Sequence, residues 1–337
     1  MDIGMMGYGL YVPESRMNAA EIAAKTGIPE NVIALKFGIK GKPVPGPDDT
    51  TANMGLKAAR KAVEAAGIDP GEIDVVLWFG AQHKDYPCWL ASLKVADALG
   101  AVNAWGFDME AMCGSFMAAL EVARGLMMAS DTNRTVLLVS GYRNADLIDL
   151  SVPETTFMAD LAAGGAAAVL RRGYGKNVLM GTAFKGDGSF SELCVVPVLG
   201  SKRWPPEPGD DQKAYFGIDD PEEFKKKLGE KTMPNFYWVV REALRRSGGL
   251  TEKDVDYLAI LHFKKSAHDA VLTELGLAPE QTTYLDDYGH MGQNDQLLSI
   301  DLGLRAGKIK DGDIISMVGA GLGFVWASAV MRWGGKA

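Results

Sequence analysis

The chain has 337 residues, 47% of them hydrophobic and 23% charged, and a net charge of −8. That is enough material for a large core and for two domains or one fused pair, and the acidic balance argues against nucleic acid as the main partner. The odd count of three cysteines (Cys88, Cys113, Cys194) gives no disulfide or metal spacing. With no secretory leader pattern and no unbroken apolar run near the roughly 18 residues of a membrane span, a cytoplasmic chain without metal or membrane insertion is expected.

In chain order, the spacing predicts an amphipathic helix over Thr51–Ala65, then a glycine loop and a strand in Ala66-Gly-Ile-Asp-Pro-Gly-Glu-Ile-Asp-Val-Val-Leu77. His83 falls on the loop after that strand. A strand over Ala104–Asp108 leads into a small-residue helix over Gly114–Met128, and Cys113 sits where that helix begins. The apolar run Ala162–Leu170 reads as a buried strand. Arg172–Lys176 interrupts the pattern, so the chain divides into halves 1–174 and 175–337. Ser201–Thr232, rich in proline and carrying Lys225-Lys-Lys227, is expected to be an inserted loop and short helix, either over a site entrance or at a subunit contact, or else a surface excursion.

The helix–glycine–strand unit recurs without a gap at Gly248-Gly-Leu-Thr-Glu-Lys-Asp-Val-Asp-Tyr-Leu-Ala259, after a second predicted helix, Pro234–Ser247. A second pair, Cys113–Gly141 and Met291–Gly319, repeats helix, turn and strand in the same order. Together they predict an α/β chain of two duplicated halves, each with strands alternating with helices, packed about a pseudo-twofold axis. The helix starting at Cys113 then faces the one starting just after His290.

A helix start carries roughly half a positive charge and unpaired N–H groups, which favour a thiolate. Cys113 is therefore either a nucleophile or a buried structural cysteine. His262 ends the strand Tyr257–Leu261, where open α/β sheets place ligand-binding groups, and His290 lies at the turn into its helix. His268 falls within a helix and reads as a packing residue. Gly319-Ala-Gly-Leu-Gly-Phe324 leads into another strand and not a helix, so it does not read as a phosphate loop.

These segments resemble the thiolase-fold condensing enzymes, most closely beta-ketoacyl-ACP synthase III, over nearly the whole length. Leu35-Lys-Phe-Gly-Ile39 is similar to the family's Arg-Thr-Gly-Ile segment. Asp108–Gly114 resembles the nucleophile segment, with Ser115 in place of its second glycine, and Asp187-Gly-Ser-Phe-Ser-Glu-Leu193 resembles Asp-Gly-Ser-x-x-Glu-Leu. Gly307-Lys-Ile-Lys-Asp-Gly312, Gly321-Leu-Gly-Phe-Val-Trp326 and Met331-Arg-Trp333 fit the family's last segments.

The resemblance implies a five-layer α-β-α-β-α thiolase-like fold and maps the catalytic set to Cys113, His262 and His290. His290 replaces the family's asparagine, Lys265 stands where His-x-x-Asn has its asparagine, and Ala162 and Ala163 replace a Gly-Asp pair. It implies an oxyanion hole from Cys113 and Gly323. Further contacts are expected from Lys36, Glu110, Phe157, Lys202, Arg203 and Lys265, with Lys40 and Lys42 near the donor's phosphates and Trp78 and Trp89 setting tunnel depth. The implied reaction is acyl transfer to Cys113, then Claisen condensation with a malonyl-type thioester. A CoA or pantetheine thioester is the substrate, acyl carrier protein is a further carrier, no separate cofactor is needed, and the enzyme is a homodimer. Two other readings remain: a non-decarboxylative condensation or cleavage with a histidine or Glu110 as base, and a non-catalytic partner subunit.

Overall fold

The computed structural model describes residues 1–80 and 83–335. The first half contains β1 (Ile3–Tyr11), β2 (Arg16–Asn18), α1 (Ala19–Thr26), the single turn α2 (Glu30–Val32), β3 (Gly41–Pro43), α3 (Thr51–Ala66), β4 (Val75–Gly80), α4 (Ala91–Leu99), β5 (Trp105–Glu110), α5 (Ser115–Ala129), β6 (Thr135–Tyr142) and β7 (Gly164–Arg172). The second half contains β8 (Val178–Gly186), β9 (Cys194–Val195), β10 (Gly217–Ile218), α6 (Pro221–Arg246), β11 (Tyr257–Ile260), α7 (Lys265–Leu275), α8 (Asp295–Arg305), β12 (Ile314–Gly321) and β13 (Val325–Arg332).

Local chemistry sets the element ends. Thr50 caps α3 by accepting the Asn53 N–H at 3.2 Å, and Gly67, at φ 63°, turns the chain out of it. The long helix α6 differs from expectation. The sequence pattern places its start at Pro234, but it begins at Pro221, where Asp220 accepts the Glu223 N–H at 2.9 Å and Pro221 occupies the first position. Pro234 is carried inside the helix. The short helix expected in the insertion and the helix expected from Pro234 are therefore one continuous element.

Strand order makes the two halves comparable. The first runs β1-β7-β6-β4-β5 and the second β8-β13-β12-β11. In each, the first two pairings are antiparallel and the next parallel: β1–β7, β7–β6 and β6–β4 match β8–β13, β13–β12 and β12–β11. A parallel bridge from Thr282 to Leu258 occupies the position beside β11 that β5 takes beside β4. Among the described residues the halves meet edge to edge through the Gly4–Val178 pairing and Asn177, whose carbonyl and side-chain amide bond the Met5 N–H and carbonyl at 3.0 and 2.9 Å.

Helices α3 and α4 cover one outer face, and α6 packs on the opposite face against β8, β12 and β13. Helices α5 and α8 fill the middle, in contact with strands of both halves, which gives five layers. The segment Met112–Ala129 is long and apolar enough by composition to cross a membrane. Here it forms the middle layer, with Phe116, Met117 and Leu120 fully buried, each contributing about 2 kcal/mol of hydrophobic stabilisation.

Candidate active site

Each middle-layer helix begins with a tight turn that the opposite half closes over. Met112–Gly114 leads into α5, and Gly292–Asn294 leads into α8. Met112 adopts φ 48°, a left-handed conformation that costs a non-glycine residue about 1 kcal/mol or more. Ser115 locks the first turn: its buried hydroxyl accepts the Ala111 N–H at 2.8 Å and bonds the Gly80 carbonyl at 3.1 Å. From the second half, β12 lies so close that a Cβ on Gly321 would stand 2.8 Å from the Cys113 nitrogen. In the other turn Gln293 bonds the Ser140 hydroxyl of β6 at 2.6 Å.

This exchange brings a thiol and an imidazole together. Cys113 Sγ lies 3.1 Å from Nε2 of His290. The other ring nitrogen, Nδ1, lies 2.6 Å from Oδ2 of Asp295. Asp295 opens α8 and is fully buried. Its carboxylate also accepts the backbone N–H groups of Met291 and His262, each at 2.8 Å. Burial drives the His290 imidazole toward its neutral form, but the charges of Asp295 and Cys113 and the two hydrogen bonds outweigh it. His290 is held protonated well above the ordinary imidazole range.

His262 sits two residues beyond β11. Its Nδ1 is 2.8 Å from Oδ2 of Asp160 and its Nε2 is 3.1 Å from the Gly38 carbonyl oxygen. Burial pushes the Asp160 carboxyl up, yet the His262 bond and the charges of His262, His290 and Lys42 outweigh it and hold Asp160 below the usual carboxylate range. Tyr142 packs beside His290, ring centres 6.1 Å apart. Burial, then the Cys113 charge, push its phenol well above its usual value and keep it neutral.

Cys113, His262, His290 and Asp160 line one cavity of 580 Å³ whose walls are mostly apolar. Phe157 lines it, and Phe216, Ile218, Phe224 and Leu228 contribute a wall from the stretch expected to be an insertion. Lys225, from the Lys225-Lys-Lys227 run, and Lys264 line it too, and Lys264 carried no signal in the sequence. The other cysteines lie elsewhere. Cys88 is exposed, and burial pushes the Cys194 thiol up to about 12, an inert side chain.

Several sequence candidates do not reach the cavity wall. Lys36 is exposed on its turn, and Glu110 is exposed at the end of β5. Lys202 pairs with Glu192 at 3.0 Å, Arg203 with Glu207 at 2.8 Å and Asp210 at 2.9 Å, and Lys265 with Asp269. Lys40 pairs with Asp286 at 2.7 Å. Lys42 is a correction: it is buried, and its Nζ donates to the Ala159 and Leu161 carbonyls at 2.7 and 2.8 Å, so it staples the Asp160 segment and meets no phosphate.

Trp78 lies in the core beneath α3 and Trp89 against Tyr86, so neither sets a tunnel depth. Gly323 lies in the β12–β13 turn, and its neighbours Leu322 and Phe324 line the cavity. His83 contacts Asp146 at 3.4 Å. His268 is buried, with no hydrogen-bond partner for either ring nitrogen among the described residues. Those residues hold no cluster of three or more metal-ligating side chains.

Sequence reasoning missed Asp160 and Asp295. Asp295 left a faint signal. Gln293-Asn-Asp-Gln296 sets four polar residues ahead of an apolar helix, more than one cap needs, and all four are buried.

Two family models match the chain. That of 3-oxoacyl-ACP synthase III covers residues 107–188, and that of its C-terminal part covers 244–333, together just over half the chain. Among curated proteins, beta-ketoacyl-ACP synthase III of Sphingopyxis alaskensis is 26% identical over 97% of this chain and 98% of its own length. That of Methylococcus capsulatus is 28% identical over 97% and 98%. The crystal structure of 3-oxoacyl-ACP synthase III from Pseudomonas aeruginosa superposes with a TM-score of 0.84, at 24% identity, covering 100% of this chain and 99% of that one. With the nucleophile turn and the His262 strand end both inside the matched segments, the chain belongs to the 3-oxoacyl-ACP synthase III family of thiolase-fold condensing enzymes.

Proposed function

We propose that this chain is an acyltransferase that joins an acyl thioester to a malonyl-type thioester by Claisen condensation, with Cys113 as the acyl carrier and His262 and His290 as the groups that stabilise the enolate. One observation carries the role assignment: Cys113 Sγ stands 3.1 Å from His290 Nε2 in a cavity that His262 also lines.

In the first half-reaction Cys113 attacks the donor carbonyl. The S–C bond forms, the donor's C–S bond breaks, and the donor leaves as a thiol. The Cys113 N–H and a donor in the Gly321–Phe324 turn, with Gly323 as the candidate, hold the tetrahedral oxyanion. One such donor is worth about 3 kcal/mol. In the second half-reaction the malonyl carboxylate leaves as CO2 and its electron pair passes into an enolate. His262 turns its Nε2 proton from the Gly38 carbonyl to the thioester oxygen, and His290 donates from Nε2. The enolate carbon attacks acyl-Cys113, and Cys113 leaves as a thiolate facing a protonated His290. A 3-oxoacyl thioester results.

The chain's own residues need no separate cofactor for these steps, since the thioester is itself the substrate. CoA and acyl carrier protein are the candidate carriers, with Lys225 and Lys264 at the cavity wall suited to their negative charge. We further propose that residues 1–174 and 175–337 are duplicated halves, that the enzyme works in the cytoplasm, and that a homodimer forms along the exposed edge strand β5.

A second reading, condensation or cleavage without loss of CO2, draws on the His290–Asp295 bond. That bond keeps a proton on Nδ1, so a neutral His290 presents its lone pair at Nε2, suited to taking a proton alpha to a thioester. The deciding experiment incubates the protein with a panel of acyl-CoAs and reads the mass of the Cys113 peptide, then adds malonyl-CoA or, in deuterated buffer, a second acyl-CoA. Release of CO2 with formation of a 3-oxoacyl product supports the first reading. Deuterium entering the alpha carbon with malonyl-CoA untouched supports the second, and no acyl group on Cys113 removes both.

A further inference from the structure

We infer that Asp295 is a positioning residue that fixes a proton on His290 Nδ1 and aims Nε2 at Cys113, so that the resting nucleophile is the thiolate of a thiolate–imidazolium pair and His290 carries the Cys113 proton to the departing donor thiol. This deepens the proposed function and rests on its assignment of Cys113 as nucleophile.

The geometry is a chain of three buried groups: Sγ to Nε2 at 3.1 Å, and Nδ1 to Oδ2 at 2.6 Å. Asp295 is supplied with donors only. Oδ2 accepts from His290 Nδ1 and the His262 N–H, and Oδ1 accepts from the Met291 N–H. A carboxylate with three donors converging on it has every reason to stay ionised, and protonating it would set a donor against a donor. It also stands at the first position of α8, where the helix dipole favours negative charge. An ionised Asp295 at Nδ1 leaves two states for His290: the imidazolium, or a neutral ring whose free lone pair is at Nε2. Both suit proton exchange with a sulfur at 3.1 Å, and an asparagine at position 290 has neither.

The other titratable groups around His290 fit this. Asp160, from the segment after Pro153–Met158, adds a second negative charge, itself bonded to His262 from the end of β11. Tyr142 of β6 is neutral. The positive Lys42 of β3 faces the Ala159 and Leu161 carbonyls that flank Asp160.

The proton count closes. At rest Cys113 is S⁻ and His290 carries protons on both nitrogens. Attack forms the S–C bond, the donor's C–S bond breaks, and the departing sulfur takes the Nε2 proton. Acyl-Cys113 and a neutral His290 remain. One proton from solvent, favoured by Asp295, restores the imidazolium. The condensation step then expels Cys113 as thiolate directly into the ion pair it started from.

The test is the pH dependence of Cys113 alkylation by iodoacetamide, assigned by peptide mass because Cys88 is exposed. In the wild-type protein the Cys113 rate should hold its plateau into the acid range. In Asp295→Asn it should fall about tenfold or more at pH 6 and converge with wild type near pH 9.5. His290→Asn, which leaves the carboxylate in place, should show the same alkaline displacement and decides the matter if Asp295→Asn fails to fold. The acylation burst with an acyl-CoA should follow the same displacement. An unshifted profile in His290→Asn, or a loss in Asp295→Asn that is uniform at every pH, overturns the inference. A wild-type Cys113 that resists alkylation at every pH sinks the nucleophile assignment instead.

Discussion

The Asp160 carboxylate lies 2.8 Å from Nδ1 of His262, a residue 102 positions further along the chain. With the Gly38 carbonyl at Nε2, an acceptor faces each ring nitrogen, so the His262 ring is held in one orientation. The same Asp160 accepts the His290 N–H through its backbone carbonyl at 2.8 Å. Asp160→Asn removes the negative charge beside Nδ1 and with it the charge-assisted bond that holds the ring in this orientation. Steady-state condensation should fall about 10- to 100-fold, and single-turnover measurement should show the carbon–carbon step slowed more than Cys113 acylation. Equal slowing of both steps counts against a role through His262.

Gly321 tests how closely β12 must approach the nucleophile. A Cβ there would stand 2.6 Å from the Met112 Cβ and 2.8 Å from both the Ala111 oxygen and the Cys113 nitrogen. Two of those three are backbone atoms in a turn that already holds a left-handed methionine, so the strain has nowhere to go. Gly321→Ala should destabilise the fold by about 1–3 kcal/mol and slow Cys113 alkylation. Gly125 is the control: exposed in the interior of α5, with nothing within 4 Å of an added Cβ. Gly125→Ala should stabilise by roughly 0.5–1 kcal/mol through helix propensity. Thermal melts of the two variants should move in opposite directions.

What was legible in the sequence is what local pattern records. A thiol at a strand-to-helix turn, a histidine at a strand end and a doubled helix–glycine–strand unit all leave periodic or punctuating marks. The carboxylates that partner the histidines leave little. Asp160 reaches His262 only because the chain returns past β7 and β11, and a single aspartate after a methionine-alanine pair has no pattern of its own. Lys42 failed for the opposite reason. Its charge suggested a phosphate, while its burial is set by β3 lying beneath the Ala159–Leu161 segment. The start of α6 was missed because Pro234 looked like a helix start and outweighed the better cap at Asp220, fourteen residues earlier.

His268 gives the fold a defined sensitivity to acid. Burial, with the Lys265 charge, lowers its ring to about 4 from the ordinary 6.5, and neither nitrogen finds a partner among the described residues. Above pH 6.5 it is neutral in both folded and unfolded chains and contributes nothing to pH dependence. Between about 6.5 and 4 the unfolded chain binds a proton that the folded one refuses. Stability is therefore lost as pH falls through that window, by roughly 3 kcal/mol at most. His268→Leu removes the titrating group. Denaturant midpoints from pH 7 down to pH 4 should decline less steeply in the variant than in the wild type, and parallel slopes would assign the acid loss to other groups.

The cavity wall built by Phe216, Ile218, Phe224 and Leu228 makes a prediction that separates entry from chemistry. Phe216 directly precedes β10, Ile218 lies in it, and Phe224 and Leu228 lie in the first turns of α6; all four share the 580 Å³ space with Cys113. A thioester arm that reaches Sγ through this space must pass them. Leu228→Trp adds a large ring to a half-buried position, filling part of the space while the catalytic hydrogen bonds stay as they are. The kcat/KM for acyl-CoA donors should fall at least about tenfold, by slowing Cys113 acylation, as a misplacement of the reacting carbonyl by about 1 Å is enough to do. Iodoacetamide, a few atoms long, should still alkylate Cys113 at a rate near that of the wild type. Leu228→Ala should show the opposite trend, with relative preference moving toward bulkier acyl groups. Mass spectra of both variants after exposure to short and long acyl-CoAs read this directly. If Leu228→Trp blocks small alkylating agents and acyl-CoAs alike, the ring has disturbed the catalytic turn and the wall is not the passage. If it blocks neither, the acyl thioester reaches Cys113 from another side.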